Sequence, residues 1–247
     1  MKRYALGIDI GGTFTDAVLF DREQGRRVAA KTLTTLAHPA VAVVKAVDQI
    51  MNQEKVSGRE IDRVVHATTL FTNALIERKG AKTALLTTEG FRDSLEIGRE
   101  RKYDLYDLAA KKPRQLVPRD RRFEVPERIL ANGDVHRDLD EQSLDKIVEA
   151  LRDQKIESVG IVFLHSYRNG THERIAGERI SKSLPEISVS LSCDVAPEIR
   201  EYERASTTVA NAYVKPLARD YLEELSERLY AHDITSPLML MLSSGGL

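Results

Sequence analysis

Cysteine is almost absent from this 247-residue sequence, which contains Cys193 alone. A single cysteine cannot form a disulfide within the chain, and it offers no cluster for a structural zinc ion. No histidine stands in a fixed spacing to Cys193, so a nucleophilic role for its thiol is not indicated. These absences favour a cytoplasmic protein.

Long apolar runs are also missing. No stretch approaches the ~20 apolar residues that a membrane-spanning helix needs, and the run after Met1 meets Asp9 too soon for a signal peptide. Neither charge sign prevails, because 37 Lys and Arg stand against 38 Asp and Glu. The sequence therefore predicts a soluble globular protein with neither nucleic acid nor a membrane as its partner.

Hydrophobic periodicity predicts an α/β fold. Three strands joined by tight turns indicate an antiparallel meander, and the later alternation of helices and strands indicates parallel pairing. Prolines and charges break the pattern between residues 90 and 140, which predicts long loops with short strands around Phe123 and Ile129. The predicted strands are 4–10, 17–20, 26–33, 61–66, 81–87, 158–164, 187–191 and 238–242, and the predicted helices are 39–51, 68–80, 141–154, 171–183 and 199–230, the last interrupted at Pro216.

The turn after the first strand carries the densest group of polar residues. It runs Asp9-Ile10-Gly11-Gly12-Thr13-Phe14-Thr15-Asp16 and leads into a second strand. We expect the two glycines to allow backbone conformations closed to other residues, so that successive amide groups form a concave nest for phosphate oxygens. An ordinary hairpin turn is the alternative interpretation.

This turn differs from the common nucleotide motifs. It lacks the Gly-Lys-Ser/Thr ending of a P-loop, and it leads into a strand where a dinucleotide fingerprint leads into a helix. Asp9 places a carboxylate where the magnesium ion of a nucleotide needs an oxygen ligand. Asp16 offers a second carboxylate.

Several segments of the sequence resemble the hydantoinase A / 5-oxoprolinase family, which includes acetone and acetophenone carboxylase subunits. The resemblance covers essentially the whole chain. Its motifs are residues 7–16, His66-Ala67-Thr68-Thr69 with Asn73-Ala74, Gly90-Phe91-Arg92-Asp93, Glu96-Ile97-Gly98-Arg99, Glu127-Arg128 and residues 201–213.

The resemblance implies the first lobe of an actin-like, ribonuclease H-like ATPase: an α/β fold with a mixed sheet and helices, followed by the start of a second lobe. The implied domains are residues 1–186 for the N-terminal lobe and residues 187–247 for linker helices and the truncated second lobe. Family members carry a second phosphate loop further along the chain. No later Asp-x-Gly-Gly-Thr occurs here, so we expect that the chain cannot complete an ATP site alone.

The resemblance also implies an activity. It is the ATP-dependent opening of a lactam or cyclic imide, such as a hydantoin or 5-oxoproline, through phosphorylation of the amide carbonyl, with a hydantoinase B-type partner subunit. Two alternatives stay open: a ketone carboxylase subunit, and a non-catalytic nucleotide-binding or assembly fragment. The implied cofactors are ATP and Mg²⁺.

Within that activity, the turn residues receive separate roles. Asp9 is the expected magnesium ligand and, with Asp16, a candidate catalytic residue. The expected phosphate-binding residues are Gly11, Gly12, Thr13 and Thr15.

Five further residues are candidates for substrate binding: Thr68, Thr69, Asn73, Arg92 and Arg99. Thr68 and Thr69 precede a helix, where hydroxyl groups and free amides can hold an anion or simply cap the helix. Asn73 lies one helical turn later and binds either substrate or a neighbouring backbone group. Arg92 and Arg99 carry the guanidinium forks suited to carboxylate or phosphate, although most surface arginines have no such role.

Overall fold

The computed structural model describes residues 2–35, 38–99, 106–107, 109, 113–242 and 245–246. Its strands are β1 (Tyr4–Ile10), β2 (Phe14–Asp21), β3 (Arg26–Leu33), β4 (Ile61–Thr68), β5 (Thr83–Thr88), β6 (Arg122–Val125), β7 (Arg128–Ile129), β8 (Val135–Arg137), β9 (Ser158–Val162), β10 (Ser188–Leu191) and β11 (Leu238–Leu240). Its helices are α1 (Pro39–Glu54), α2 (Leu70–Glu77), α3 (Ser94–Ile97), α4 (Glu141–Asp153), α5 (Thr171–Ser183), α6 (Ser192–Val195) and α7 (Glu201–Ala231).

The chain divides into two compact units. Unit 1 comprises residues 1–77 and 217–247, and unit 2 comprises residues 78–216. The helix α7 contributes residues to both units. The predicted boundary between residues 186 and 187 separates the two lobes that the family resemblance implies. The division into compact units does not test that boundary, so it stays a prediction.

Unit 1 is built on a five-stranded mixed sheet in the order β11-β4-β1-β2-β3. β1, β2 and β3 are antiparallel, whereas β4 runs parallel to β1 and β11 parallel to β4. Apolar residues alternate along β1, so Leu6, Ile8 and Ile10 enter a core that they share with α1 and with Tyr221 of α7. Asp9 lies on the opposite face. The predicted meander with a helix on one face is confirmed.

Unit 2 is built on four parallel strands in the order β10-β9-β5-β6. One face of this sheet packs against α4 and α5, and the other packs against α3 and the first part of α7. An ideal Cβ on Gly160 of β9 would lie 3.6 Å from Cγ2 of Thr208 in α7, so the helix lies directly on the strand. The predicted parallel pairing is confirmed.

Pro216 does not interrupt the last long helix, so that prediction is wrong. α7 continues through Pro216 without a break. A proline removes one hydrogen bond of the helix, and the buried residues Ala212 and Tyr221 on either side fix the two flanking stretches in apolar surroundings. No described helix is long and apolar enough to cross a bilayer.

Candidate functional site

The turn between β1 and β2 exposes backbone donors. The Gly11 N–H group donates to the Phe14 carbonyl (2.9 Å), and the Thr34 N–H group donates to the Thr13 carbonyl (2.9 Å). Gly12 and Thr13 are exposed, and no acceptor in the described part of the chain pairs with their N–H groups. Two backbone donors are therefore available to a ligand.

The two glycines leave space beside this turn without being required by crowding. Neither Gly11 nor Gly12 lies in the left-handed region of φ, so the expectation of a backbone conformation closed to other residues is wrong. An ideal Cβ on Gly12 would lie 3.7 Å from Nδ2 of Asn73, and one on Gly11 would lie 3.4 Å from the Phe14 carbonyl oxygen. Larger side chains would fill the space between the turn and α2.

The start of α2 lies beside the turn. Ile10 and Thr68 are register partners in the parallel pair of β1 and β4. The Thr69 N–H group donates to the Ile10 carbonyl (3.3 Å), which ties the helix to the end of β1. Oγ1 of Thr68 accepts a hydrogen bond from the Leu70 N–H group (3.0 Å) and so engages in capping.

Asn73 links α2 to the turn from the helix side. Its Nδ2 lies 3.5 Å from Oγ1 of Thr69, an exposed residue, and it is the side-chain atom nearest to Gly12. The first-turn N–H groups of Phe71 and Thr72 have no acceptor among the residues that the structure describes. Free amides at the start of a helix carry partial positive charge and attract anions. The turn and the helix therefore present their free donors at neighbouring positions.

Asp9 and Asp16 are cross-strand partners in β1 and β2, so their carboxylates lie on the same face of the sheet. Asp16 is held by its neighbour on β3, because Nζ of Lys31 lies 2.7 Å from Oδ1 and 2.8 Å from Oδ2. Asp9 is exposed, and no described side chain pairs with its carboxylate. Asp9 thus keeps its oxygens available for a cation.

Thr15 supports the turn from inside the fold. The residue has no exposed surface. Its hydroxyl lies 3.0 Å from the hydroxyl of Thr34, which in turn donates to the Gly11 carbonyl (2.9 Å). The predicted contact of Thr15 with phosphate stays a prediction. Sequence reasoning missed Thr34 and Lys31, because their contacts with Thr15 and Asp16 depend on how β2 and β3 pair.

The two candidate arginines belong to unit 2 and not to the unit that contains the turn. Nε of Arg99 donates to Oε1 of Glu203 (2.7 Å). Nε of Arg92 lies 4.0 Å from Oε2 of Glu124 and is buried without a hydrogen-bond partner in the described ranges. Their predicted role in substrate binding stays a prediction.

His66 is buried within unit 1. Its side chain is buried, Nε2 lies 2.9 Å from the Tyr221 hydroxyl, and burial lowers the pKa of the imidazole. No group of three or more His, Cys, Asp or Glu in the described ranges is arranged to hold a metal ion. Magnesium is compatible with fewer protein ligands, since it usually keeps several waters and takes one or two carboxylates plus phosphate oxygens. The free carboxylate of Asp9 beside the turn fits that requirement.

Two family models match this chain. The model of the hydantoinase/oxoprolinase N-terminal region matches residues 5–184, and the hydantoinase/oxoprolinase model matches residues 204–247. The chain belongs to the hydantoinase/oxoprolinase family. The resemblance found in the sequence is thereby confirmed.

Family members with sequence similarity include subunits of larger enzymes. The alpha subunit of caprolactamase from Pseudomonas jessenii is 36% identical over 252 residues, which cover 100% of this chain and 36% of that subunit. The gamma subunit of acetophenone carboxylase from Aromatoleum aromaticum is 32% identical, with coverage of 98% and 35%. This chain thus spans about a third of the length of these relatives.

Solved structures of the family share the fold. The ATP-dependent caprolactamase from Pseudomonas jessenii superposes with a TM-score of 0.88 at 35% identity and covers 96% of this chain, which spans 35% of that one. The nucleotide-free acetone carboxylase superposes with a TM-score of 0.85 at 26% identity, with coverage of 98% and 36%. The predicted α/β fold of the actin-like ATPase type, with a mixed sheet and helices, is confirmed.

Proposed function

We propose that this chain supplies the first half of an ATP site in an enzyme that opens a lactam or a cyclic imide by phosphorylating its amide carbonyl. The observation that carries the proposal is the group of unpaired backbone donors at Gly12 and Thr13, beside the free amides at the start of α2. Such a group recognises the oxygens of a polyphosphate.

The side chains in and beside the turn have different roles in the proposed site. Asp9 organises magnesium, because its carboxylate is exposed and unpaired. Thr15 and Thr34 hold the Gly11 carbonyl and so fix the orientation of the turn. Lys31 offsets the charge of Asp16, which limits the repulsion between two carboxylates on one face and polyphosphate oxygens. The role of Asp16 as a general base stays a prediction.

The chemistry requires one phosphoryl transfer and one hydrolysis. The amide carbonyl oxygen takes the γ-phosphoryl group and ADP leaves. Water then adds to the activated carbon, the ring C–N bond breaks, and phosphate leaves. Magnesium neutralises the charge that develops on the phosphate oxygens during the transfer. We expect Thr69 and Asn73 to contact the substrate at its phosphorylated end, and their position next to the turn supports this role.

The relatives support both this substrate class and one alternative. A caprolactamase acts on a lactam, and the chain is 36% identical to its alpha subunit. An acetophenone carboxylase acts on a ketone, and the chain is 32% identical to its gamma subunit. Ketone carboxylation uses the same activation of a carbonyl oxygen, so the turn suits either reaction. A non-catalytic nucleotide-binding or assembly role is the third candidate.

The proposal extends to partners and location. Because these relatives are subunits, we expect a partner subunit, and the family resemblance implies one of the hydantoinase B type. The scarcity of cysteine favours a cytoplasmic complex. The unpaired donors of unit 1 form half of a nucleotide site, and a second phosphate loop is needed for tight binding. Each charge-assisted contact from that loop contributes about 1.5–3 kcal/mol.

Phosphate release from ATP tests the function directly. The intact protein with its partner subunit is assayed with caprolactam, hydantoin, 5-oxoproline and acetone, each with and without bicarbonate. We expect lactam- or imide-dependent phosphate release without bicarbonate. Strict dependence on bicarbonate and a ketone would establish carboxylation instead, and release independent of every substrate would favour the non-catalytic role.

Matched aspartate variants locate the activity. Asp9→Asn removes the free carboxylate beside the turn and is expected to lower phosphate release by at least tenfold. Asp220→Asn changes another exposed aspartate of unit 1, whose described contact is with its neighbour Arg219. It should leave the rate unchanged, and equal rates for the two variants would contradict the assignment of Asp9.

A further inference from the structure

The parallel sheet of unit 2 reverses its winding between β5 and β9. After β5 the chain crosses to β6 on one side, and after β9 it crosses to β10 on the other side. β5 and β9 are hydrogen-bonded neighbours. In open α/β sheets, ligands bind outside the carboxyl ends of the two strands at which such a reversal occurs.

Buried polar residues lie at this reversal. Thr88 ends β5, and its hydroxyl accepts from the Leu164 N–H group (2.9 Å) just beyond β9 and donates to Oε1 of Glu127. Oε2 of Glu127 lies 2.8 Å from Nδ1 of His172. Thr88, Glu127 and His172 are all at least nine-tenths buried. The carboxyl ends of β5 and β9 are thus joined by a fixed polar floor.

A hairpin of two short strands forms the wall above this floor. Arg128 of β7 and Arg137 of β8 are register partners, and like charges at directly opposite positions repel each other. Glu89 offsets Arg137, with an N–O distance of 2.6 Å. The guanidinium group of Arg128 lies 5.2 Å from the centre of the Phe91 ring. No described carboxylate lies within ion-pair distance of Arg128, so one positive charge of the pair is not neutralised.

A β-bulge adds an imidazole to the two guanidinium groups. The register shifts between Arg128 and Ile129, which leaves His136 as the extra residue on β8. Bulges redirect side chains and are over-represented next to binding sites. The far end of the hairpin is fixed, because Nδ2 of Asn169 donates to the Gly133 carbonyl (2.9 Å).

Floor and hairpin line an open cleft of about 590 Å³. This volume lies within the roughly 300–1,000 Å³ typical of small-molecule sites. Four lining residues carry a formal charge: Arg137 pairs with Glu89, and Glu127 is engaged by Thr88 and His172. The guanidinium group of Arg128 is the remaining charge, and no described carboxylate pairs with it. The lining residues are Thr88, Glu89, Glu127, Arg128, Leu130, His136 and Arg137.

We propose that this cleft binds a small organic anion, whose carboxylate or phosphate group is held by Arg128 and Arg137. Arg128 supplies the unneutralised guanidinium fork, and the bulge places His136 beside it. The floor of Thr88 and Glu127 faces the remainder of the ligand. The site lies within unit 2 and does not depend on nucleotide binding at the turn of unit 1.

Isothermal titration calorimetry on the intact protein tests the site. Malonate and inorganic phosphate serve as separate probes at matched ionic strength, so that carboxylate and phosphate recognition are distinguished. We expect saturable binding of at least one probe. Arg128→Gln should weaken that binding by about tenfold or more, since it removes one charge-assisted contact.

A control arginine separates this site from nonspecific attraction. Arg179 is an exposed arginine of unit 2 that pairs with Asp145 on the neighbouring helix, away from the hairpin. Arg179→Gln should leave the dissociation constant unchanged. Absence of binding for both probes, or equal weakening by Arg128→Gln and Arg179→Gln, would overturn the proposal.

Discussion

Replacing Gly12 with alanine should change nucleotide affinity without harming the fold. The added methyl carbon would lie 3.7 Å from Nδ2 of Asn73, which is an ordinary van der Waals contact. The φ angle of Gly12 lies outside the left-handed region, so alanine introduces no backbone strain there. Alanine also restricts the unfolded chain, which contributes about 0.4–1 kcal/mol to stability at a compatible site. We expect an unchanged or slightly raised melting temperature.

The affinity of Gly12→Ala for ATP should fall, although its stability does not. The methyl group occupies the space beside the free N–H groups of Gly12 and Thr13, where the proposed phosphate oxygens bind. Loss of one hydrogen bond to a charged group costs about 1.5–3 kcal/mol. This corresponds to a dissociation constant that is roughly 10- to 150-fold higher. Titration of the intact protein with ATP and magnesium, followed by calorimetry, measures that change.

Gly25→Ala provides the matched control. Gly25 has a φ of +65°, and nothing lies within 4 Å of its ideal Cβ. Alanine in this left-handed conformation costs roughly 1–2 kcal/mol, so the free energy of unfolding should fall while ATP affinity stays constant. The two glycine variants should therefore show opposite patterns. ATP affinity that is unchanged in Gly12→Ala would refute the placement of phosphate at this turn.

Three further changes probe the surroundings. Thr15→Val removes the contact between the Thr15 and Thr34 hydroxyls inside unit 1, which should lower the free energy of unfolding in urea by about 1–3 kcal/mol; an unchanged midpoint would contradict that support. Glu173→Gln replaces a buried carboxylate that accepts hydrogen bonds from the Phe163 and Cys193 N–H groups and the Ser192 hydroxyl. We expect the free energy of unfolding in urea to fall by about 3 kcal/mol, and an unchanged value would contradict the role of this carboxylate. Burial lowers the pKa of His66 in the folded protein, so the unfolded chain takes up a proton near pH 6.5 before the folded protein does. The free energy of unfolding should therefore fall as pH decreases through about 6.5. The fall should be smaller in His66→Gln if this histidine causes it.

Local patterns were sufficient for the elements that form the turn site. The strand predicted at residues 4–10 is β1, in which Leu6, Ile8 and Ile10 enter the core. The glycine pair then located the turn, and Thr68 marked the start of α2. Each of these features depends on neighbours within a few positions, so a single sequence contains the information.

Contacts between distant residues were beyond that kind of inference. The pairing of Asp16 with Lys31 depends on the register of β2 and β3, and Glu127 meets His172 across 45 positions. The purpose of Gly12 was also misjudged from the sequence. A glycine in a turn is compatible with an unusual φ angle and with an ordinary one, and only the backbone of the folded chain distinguishes these cases.

In both units, polar groups gather beyond the carboxyl ends of two adjacent parallel strands. β1 and β4 end at the glycine turn and at Thr68, and β5 ends at Thr88, which is bonded to the backbone just beyond β9. The sheets differ in strand order, so a shared topology cannot explain the coincidence. The common cause is that the chain leaves parallel strands at the same edge of a sheet. The residues that follow each strand no longer pair with a neighbouring strand, so their backbone and side-chain polar groups can bond to other partners. A ligand at either edge would therefore be held first by loop backbone and side chains, while the apolar interior of each strand keeps those loops in position.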